Sequence, residues 1–332
     1  MTPVLGRKVR MLDENQLRMT GSIILSLVWT LLVSTLLFAL SGCGGGDGPP
    51  GDGRVKVSVT DAPLDDAASV VVQFSGVAFK REGEAAEIVR TLSPSMRQLD
   101  LLAYQEGRAA LLLDNVTLPA GRYEWIRLMV DNEPNVRDSY IELSDGRECE
   151  LRVPSGAESG LKLNRGFTLP EDGSAALTID FDLRKSVHAP PGQRGSAPDC
   201  TQAYLLRPTL RVVDDANVGA IAGTVDSALV PDGCLPKVYV YSGSGIVPDD
   251  IEESTVAGDV DPLLVANVGI QNGATDYRYR AAFLPPGSYT VAFTCSDDDP
   301  TDDDTLTFSA PQSVTVQANL IATADFAPAA VP

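Results

Sequence analysis

The chain is dominated by short runs in which apolar and polar residues alternate with a period of two. Val55, Val57 and Val59 alternate with Lys56 and Ser58, as a strand with one buried face requires. Val70, Val72 and Phe74 continue the pattern beyond the turn-forming Asp61-Ala62-Pro63. Gly76 interrupts that run, which predicts a bulge that re-aims Val77 and Phe79. Ile126, Leu128 and Val130 form another set, with Trp125, Arg127 and Met129 on the opposite face. The same reading places strands at 140–143, 161–163, 177–183 and 204–213, with Pro208 marking an edge or a bulge. A hairpin turn is expected at 81–84, and residues 99–104 are the best helix candidate. No long amphipathic helix is readable. Many short strands separated by Gly, Pro and Asp turns predict an all-β chain built of β-sandwiches or barrels.

At 332 residues the chain exceeds one typical domain, and two are expected. The polar segment Asp214-Asp215-Ala216-Asn217 sets the boundary, giving domains over 54–214 and 218–330 in tandem. The second opens with Gly219-Ala220-Ile221-Ala222-Gly223-Thr224-Val225, again with period two. Further strands are expected at 237–241, 277–283, 289–295, 305–308, 314–316 and 321–326. One turn motif occurs in both halves: Leu118-Pro119-Ala120-Gly121-Arg122-Tyr123 and Leu284-Pro285-Pro286-Gly287-Ser288-Tyr289. Proline sets the first turn position, glycine supplies a positive φ, and tyrosine opens a strand. Two sandwiches reusing one turn account for the match better than an internal duplication.

Beyond Cys43 there are four cysteines, Cys149, Cys200, Cys234 and Cys295. Four cysteines allow three pairings. With two in each half, Cys149–Cys200 and Cys234–Cys295 are expected. Metal ligation is disfavoured by the absence of CxxC spacing and by a single histidine.

The formal net charge is −19. Residues 1–42 carry four basic and two acidic residues, so their removal makes it −21. Such a balance excludes nucleic acid and direct adhesion to anionic lipid, both of which need a basic face.

Arg7, Lys8, Arg10 and Arg18 precede an uncharged apolar core at residues 23–40, which ends at Leu40-Ser41-Gly42-Cys43. A basic flank, an apolar segment and small residues before a cysteine read as a secretory signal. The last four residues resemble the lipobox of bacterial prolipoproteins. The resemblance implies that residues 1–42 are a removed signal peptide and that Cys43 is acylated, joining the protein to the membrane. Several acyl chains would hold it stably. The rival is an uncleaved membrane-spanning anchor, which does not need Ser-Gly-Cys at its outer end. Gly44 in place of the family's inner-membrane retention Asp favours the outer membrane. Residues 43–53 then form the lipidated cysteine and a Gly/Pro tether, with a flexible reach of roughly 16–19 Å.

Residues 55–214 resemble the DUF4382 family of bacterial lipoproteins. The resemblance is carried in order by Val57-Ser58-Val59-Thr60-Asp61-Ala62-Pro63, the first Leu-Pro motif, Gly160-Leu161-Lys162-Leu163, Ile179-Asp180-Phe181-Asp182 with Lys185-Ser186-Val187, and Leu210-Arg211-Val212. It implies placement and architecture, with no mechanism. The second half resembles the carboxypeptidase regulatory-like, prealbumin-type sandwich through its GxIxGxV opening and Leu284-Pro285-Pro286-Gly287-Ser288-Tyr289.

No catalytic constellation is readable. His188 is the sole histidine and no GxSxG elbow accompanies it, so no enzyme and no catalytic residue is expected. Residues 216–332 carry sixteen acidic and three basic residues. Asp297, Asp298, Asp299, Asp302, Asp303 and Asp304 crowd one loop, and Asp249, Asp250, Glu252 and Glu253 another. Carboxylates on a loop are what Ca²⁺ requires, so weak Ca²⁺ binding by 297–304 competes with a merely solvated acidic loop. Tyr277, Arg278, Tyr279 and Arg280 form the local feature to test for ligand contact. The expected role is a non-enzymatic binding or scaffolding protein of the cell envelope, its partner an envelope protein. A glycan-binding accessory lipoprotein is the alternative, and an envelope hydrolase a weaker third.

Overall fold

The computed structural model describes residues 51–328 apart from 62–63, 65–66, 95–96, 132–136, 155–159, 191–199, 253–259, 271–275 and 300–302. The described residues lie in one compact unit. They are all-β, and no helix among them is long and apolar enough to cross a membrane. Cys43 and the leader lie outside the described residues.

The first half contributes β1 (Asp52–Asp61), β2 (Ala67–Arg81), β3 (Ile88–Thr91), β4 (Gln98–Asp100), β5 (Ala110–Pro119), β6 (Gly121–Val130) and β7 (Tyr140–Leu143). It continues with β8 (Glu148–Arg152), β9 (Leu161–Leu163), β10 (Phe167–Leu169), β11 (Ser174–Phe181), β12 (Val187–His188), β13 (Tyr204–Leu206) and β14 (Leu210–Asp214). A four-stranded sheet runs β14-β11-β1-β5, and a larger one β10-β6-β2-β7-β8-β13-β12, with β3 and β4 on β2 and β9 on β6. The two sheets enclose one apolar core. Phe74 of β2 and Phe181 of β11 meet across it edge to face, with centroids 6.2 Å apart.

The long strand β2 shows how one chain fills both ends of this core. Val70, Val72 and Phe74 are buried at even positions, Val77 and Phe79 at odd ones. The register against β6 shifts between Phe74 and Gly76, so a bulge reverses the parity and keeps both sets inside. A Cβ on Gly76 would lie 2.9 Å from the Arg90 carbonyl oxygen, which is why the bulge takes glycine.

The second half contributes β15 (Gly219–Val225), β16 (Lys237–Ser242), β17 (Leu264–Ile270), β18 (Tyr277–Leu284), β19 (Gly287–Thr294), β20 (Gln312–Val316) and β21 (Ile321–Thr323). They form one hydrogen-bonded sequence, β20-β19-β16-β17-β18-β15-β21. Its core, from Ile221 to Phe326, is separate from that of the first half. The disulfides Cys149–Cys200 and Cys234–Cys295 close one loop in each half.

Both Leu-Pro motifs make the same corner. The Tyr123 hydroxyl donates to the Pro119 carbonyl and the Tyr289 hydroxyl to the Pro285 carbonyl, each at 2.7 Å. Gly121 has the expected positive φ of 139°, but Gly287 does not adopt one.

Several boundaries differ from the sequence reading. The strand starts at Asp52, so the tether ends earlier than residue 53. The candidate helix at 99–104 is the end of β4 followed by a single 3-10 turn, Leu101–Ala103, capped by Asp100. The run at 204–213 divides at Pro208, and the chain switches from the large sheet at β13 to the small one at β14. Residues 305–308 are not a strand; Phe308 makes one isolated bridge to Thr294. Strands β3, β5, β8, β10, β12 and β17 escape the sequence reading: β5 and β17 carry polar or glycine residues inside their runs, whereas β8 alternates cleanly but spans only five residues and β3, β10 and β12 four or fewer.

Candidate functional site

Strand β16 reads Lys237-Val238-Tyr239-Val240-Tyr241-Ser242. Alternation sends Val238 and Val240 into the main core. Lys237, Tyr239 and Tyr241 therefore point to the other face of the sheet, yet all three are buried. Two loops cover them. Ile246, Ile251, Leu306 and Phe308 pack with Tyr239, Tyr241 and Val265 in a small second apolar cluster. Phe308 meets the Tyr239 ring edge to face at 5.2 Å.

The tyrosine hydroxyls reach past this apolar layer into the acidic loops. Tyr239 donates to Asp298 Oδ2. Tyr241 donates to the Asp249 carbonyl and accepts from the Asp249 amide at 3.0 Å. Burial pushes the pKa of both phenols well above the ordinary tyrosine value, so they are donors at any physiological pH.

Asp298 is the hub. Arg184 comes from the first half on the helical turn Leu183–Ser186, whose N-terminus is capped by Asp182. Its Nη2 donates to Asp298 Oδ2 at 3.0 Å and to the Asp298 carbonyl at 2.9 Å, with side-chain exposures of 1% and 0%. Burial raises the Asp298 pKa, and Arg184, the Tyr239 hydrogen bond, Lys237 and the Ile251 amide oppose that rise. Oδ1 of Asp298 is buried and, among the described residues, accepts no hydrogen bond of normal geometry.

Asp250 and Asp304 complete the group. One carboxylate oxygen from each of Asp250, Asp298 and Asp304 lies within 4.8 Å of the others. Asp250 is itself buried, accepts the Asp304 amide on Oδ2, and has its pKa raised first by burial and then by the Asp298 charge. Asp304 Oδ2 accepts the Asp299 amide at 2.8 Å.

The loop 297–304 therefore does not fold on itself into the predicted cluster. Asp297, Asp299 and Asp303 are exposed and outside the convergent group, and Asp302 lies outside the described residues. The group draws one carboxylate from the other acidic run instead. In the sequence Asp250 stands out only as a member of that run. The signal that could join the two runs is the buried-pattern strand β16, whose polar face needs a cover.

The Tyr/Arg strand is split by its pleat. Tyr279 is in the core, its hydroxyl donating to the Ala324 carbonyl at 2.7 Å. Tyr277 packs against the same core, while Arg278 is exposed and lies 3.8 Å from Asp276. Arg280 lines a small cavity with Thr60, Asp61, Gln105, Asp180 and Asn267, of about 30 Å³, room for one water. Trp125 is half-buried on the outer face of β6, with Lys162 Nζ 4.7 Å and the Arg127 guanidinium 5.7 Å from its ring centroid. His188 is half-buried on β12 opposite Leu205.

The order of strands, the Leu-Pro corner and the Asp182-capped turn that follows β11 are features of the segment that matches a family model, described as a domain of unknown function (DUF4382), over residues 52–208. Residues 52–208 match the DUF4382 family, just under half of the chain. The matched segment supplies Arg184, and the segment after it supplies the three carboxylates. No curated protein matches the chain in sequence.

Among solved structures, the chain is similar to a leucine-rich repeat protein from Bacteroides thetaiotaomicron, at 14% identity and a TM-score of 0.20, covering 82% of this chain and 26% of that one. It is also similar to the TIE protein of Bacillus anthracis, at 12% identity and a TM-score of 0.19, covering 83% and 33%. A third is GBS52, the minor pilin of Streptococcus agalactiae, at 9% identity and a TM-score of 0.18, covering 83% and 98%. The chain spans about a quarter to a third of the first two. At such TM-scores these likenesses carry no argument about function.

Proposed function

We propose that this is a lipid-anchored cell-envelope protein with a non-enzymatic binding or scaffolding role. Cys43 carries the lipid, and the segment that matches DUF4382 and its partner module stand off the membrane on the Gly/Pro tether. The observation that carries this reading is the pair of disulfides, one in each half. Disulfides persist in oxidising, extracytoplasmic compartments, which is where a cysteine after Leu40-Ser41-Gly42 would be acylated.

The strongly acidic surface suits a basic or neutral protein partner over nucleic acid or anionic lipid. An envelope protein partner is favoured over a glycan. Sugar platforms present open aromatic faces, whereas Tyr279 is buried and Trp125 is flanked by Lys162 and Arg127.

The test is membrane fractionation of the native protein beside Cys43→Ser, with intact mass of the native N-terminus. The expected result is a diacylated, N-acylated Cys43 terminus and release of the variant into the soluble fraction. A retained leader, or a variant that stays membrane-bound, overturns the anchor. A glycan array on the soluble mature chain addresses the role: saturable binding to one glycan class overturns the protein-partner reading in favour of a glycan accessory.

A further inference from the structure

We infer that Asp250, Asp298 and Asp304 form a Ca²⁺ site that fastens the two acidic loops over strand β16.

Three carboxylates converge with their nearest oxygens within 4.8 Å of one another. Two of the three residues are buried. Like charges this close repel strongly where water is excluded. Their distribution of partners is uneven. Asp298 has Arg184 in contact and Lys237 nearby. Among the described residues Asp250 and Asp304 form no ion pair, and each accepts a single loop amide on Oδ2. Arg184 and Lys237 therefore offset Asp298, and among the described residues no cation pairs with the other two carboxylates.

The second observation is the orphaned oxygen. Tyr239 and Arg184 both occupy Oδ2 of Asp298. Oδ1 is buried and, among the described residues, accepts no hydrogen bond of normal geometry, the Ile251 amide alone lending the carboxylate weaker support, and an under-satisfied buried carboxylate oxygen is costly. A cation between the carboxylates would satisfy that oxygen and supply the missing charge together.

The donor set is all oxygen, which selects a hard cation. The ligands come from two irregular loops, at Asp250 and at Asp298 and Asp304, and loop carbonyls and water would raise the coordination number. Ca²⁺ accepts six to eight oxygens in flexible geometry, whereas Mg²⁺ demands a near-ideal octahedron. The site lies directly beneath the phenol of Tyr239 and beside Arg184, so an ion there would order the acidic loops and the seam between the two halves together. An affinity of about 10⁻⁴–10⁻³ M, the range of extracellular modules, is expected.

Tyr239 provides the readout. Terbium(III) replaces Ca²⁺ in oxygen sites and emits when a nearby tyrosine is excited. The soluble mature chain is titrated with Tb³⁺ and back-titrated with Ca²⁺ or Mg²⁺, beside Asp250→Asn, Asp304→Asn and Tyr239→Phe. The expected result is saturable tyrosine-sensitised emission, displaced by Ca²⁺ well before Mg²⁺, lost in both Asn variants and diminished in Tyr239→Phe. Asn still accepts the loop amides, so both variants keep the hydrogen bonds of the fold. A thermal melt of the unaltered chain is an independent arm, expected to shift upward with millimolar Ca²⁺ and not with Mg²⁺. Absence of sensitised emission, emission unchanged in both Asn variants, or a melt indifferent to Ca²⁺ overturns the site.

Discussion

Arg184 Nη2 lies 3.0 Å from Asp298 Oδ2, across 114 residues of sequence and with both side chains removed from solvent. This pair joins the segment that matches DUF4382 to the strands that follow it. Other polar contacts between the halves are Asn267 Nδ2 on Gln105 Oε1 at 3.2 Å and Lys185 Nζ on Asp261 Oδ2 at 2.8 Å. Breaking a buried pair strands a charge, which costs more than the pair itself contributes. Arg184→Met is expected to lower stability by about 3–5 kcal/mol, and Arg184→Met with Asp298→Leu by much less than the two single losses combined. Urea unfolding in chelator-treated buffer measures both; additive losses would show that the two residues do not act as a pair.

The two tyrosine corners predict matched effects in different halves. Removing only the hydroxyl, as in Tyr123→Phe or Tyr289→Phe, leaves a carbonyl unpaired and is expected to cost about 0.5–1.5 kcal/mol each. Tyr123→Ala also removes a ring stacked 4.7 Å from Phe167, and about 3–5 kcal/mol is expected. Denaturation midpoints of the three variants check this, and a Tyr123→Phe loss as large as that of Tyr123→Ala would contradict it.

The GxIxGxV opening reflects a close approach of two chain segments. A Cβ on Gly223 would lie 1.8 Å from the Ala324 carbonyl oxygen, and one on Gly219 2.3 Å from that of Gln317. Both contacts come from the chain that runs beside β15 in parallel. Gly269, by contrast, meets nothing within 4 Å. Gly223→Ala is expected to destabilise by at least about 1–3 kcal/mol, and Gly269→Ala to be neutral or slightly stabilising. Thermal melts of the two variants should separate clearly; equal melting temperatures would refute the close approach.

Asp180 and Asp182 give the fold an unusual pH dependence. Burial raises the pKa of both, against the opposing Arg211 charge at Asp180 and the Lys185 charge at Asp182. In the folded state they hold protons to higher pH than in the unfolded chain. Their contribution is therefore complete below the unfolded value of about 3.9 and is lost as pH rises through the raised folded values. Asp182→Asn keeps the cap and cannot ionise, so its stability is expected to fall less steeply over that window. Metal-free urea unfolding as a function of pH tests it. A variant with the same or a steeper decline would overturn the assignment.

Alternation is readable wherever a strand has one wet face. Val55, Val57 and Val59, or Ile126, Leu128 and Val130, declare their buried side by period alone, because the pleat repeats every two residues. The cysteine partners follow from two thiols in each half. Gly76 signals the bulge of β2, since a residue without a Cβ inside a strand marks a bend or a close backbone approach. The tyrosine corners are visible as repeated words, although their hydroxyl bonds are not.

Tertiary structure alone decided what covers the second face of β16. Lys237, Tyr239 and Tyr241 lie on the face of β16 turned away from the main core, and only the folding over of two distant loops buries them. It also decided which acidic residues meet. Six aspartates in one loop looked like the group, yet Asp298 and Asp304 find Asp250 instead, more than forty residues away. Local pattern is written in the sequence because backbone geometry repeats every few residues. The pairing of loops depends on where several sheets place their ends, and no short-range period records that.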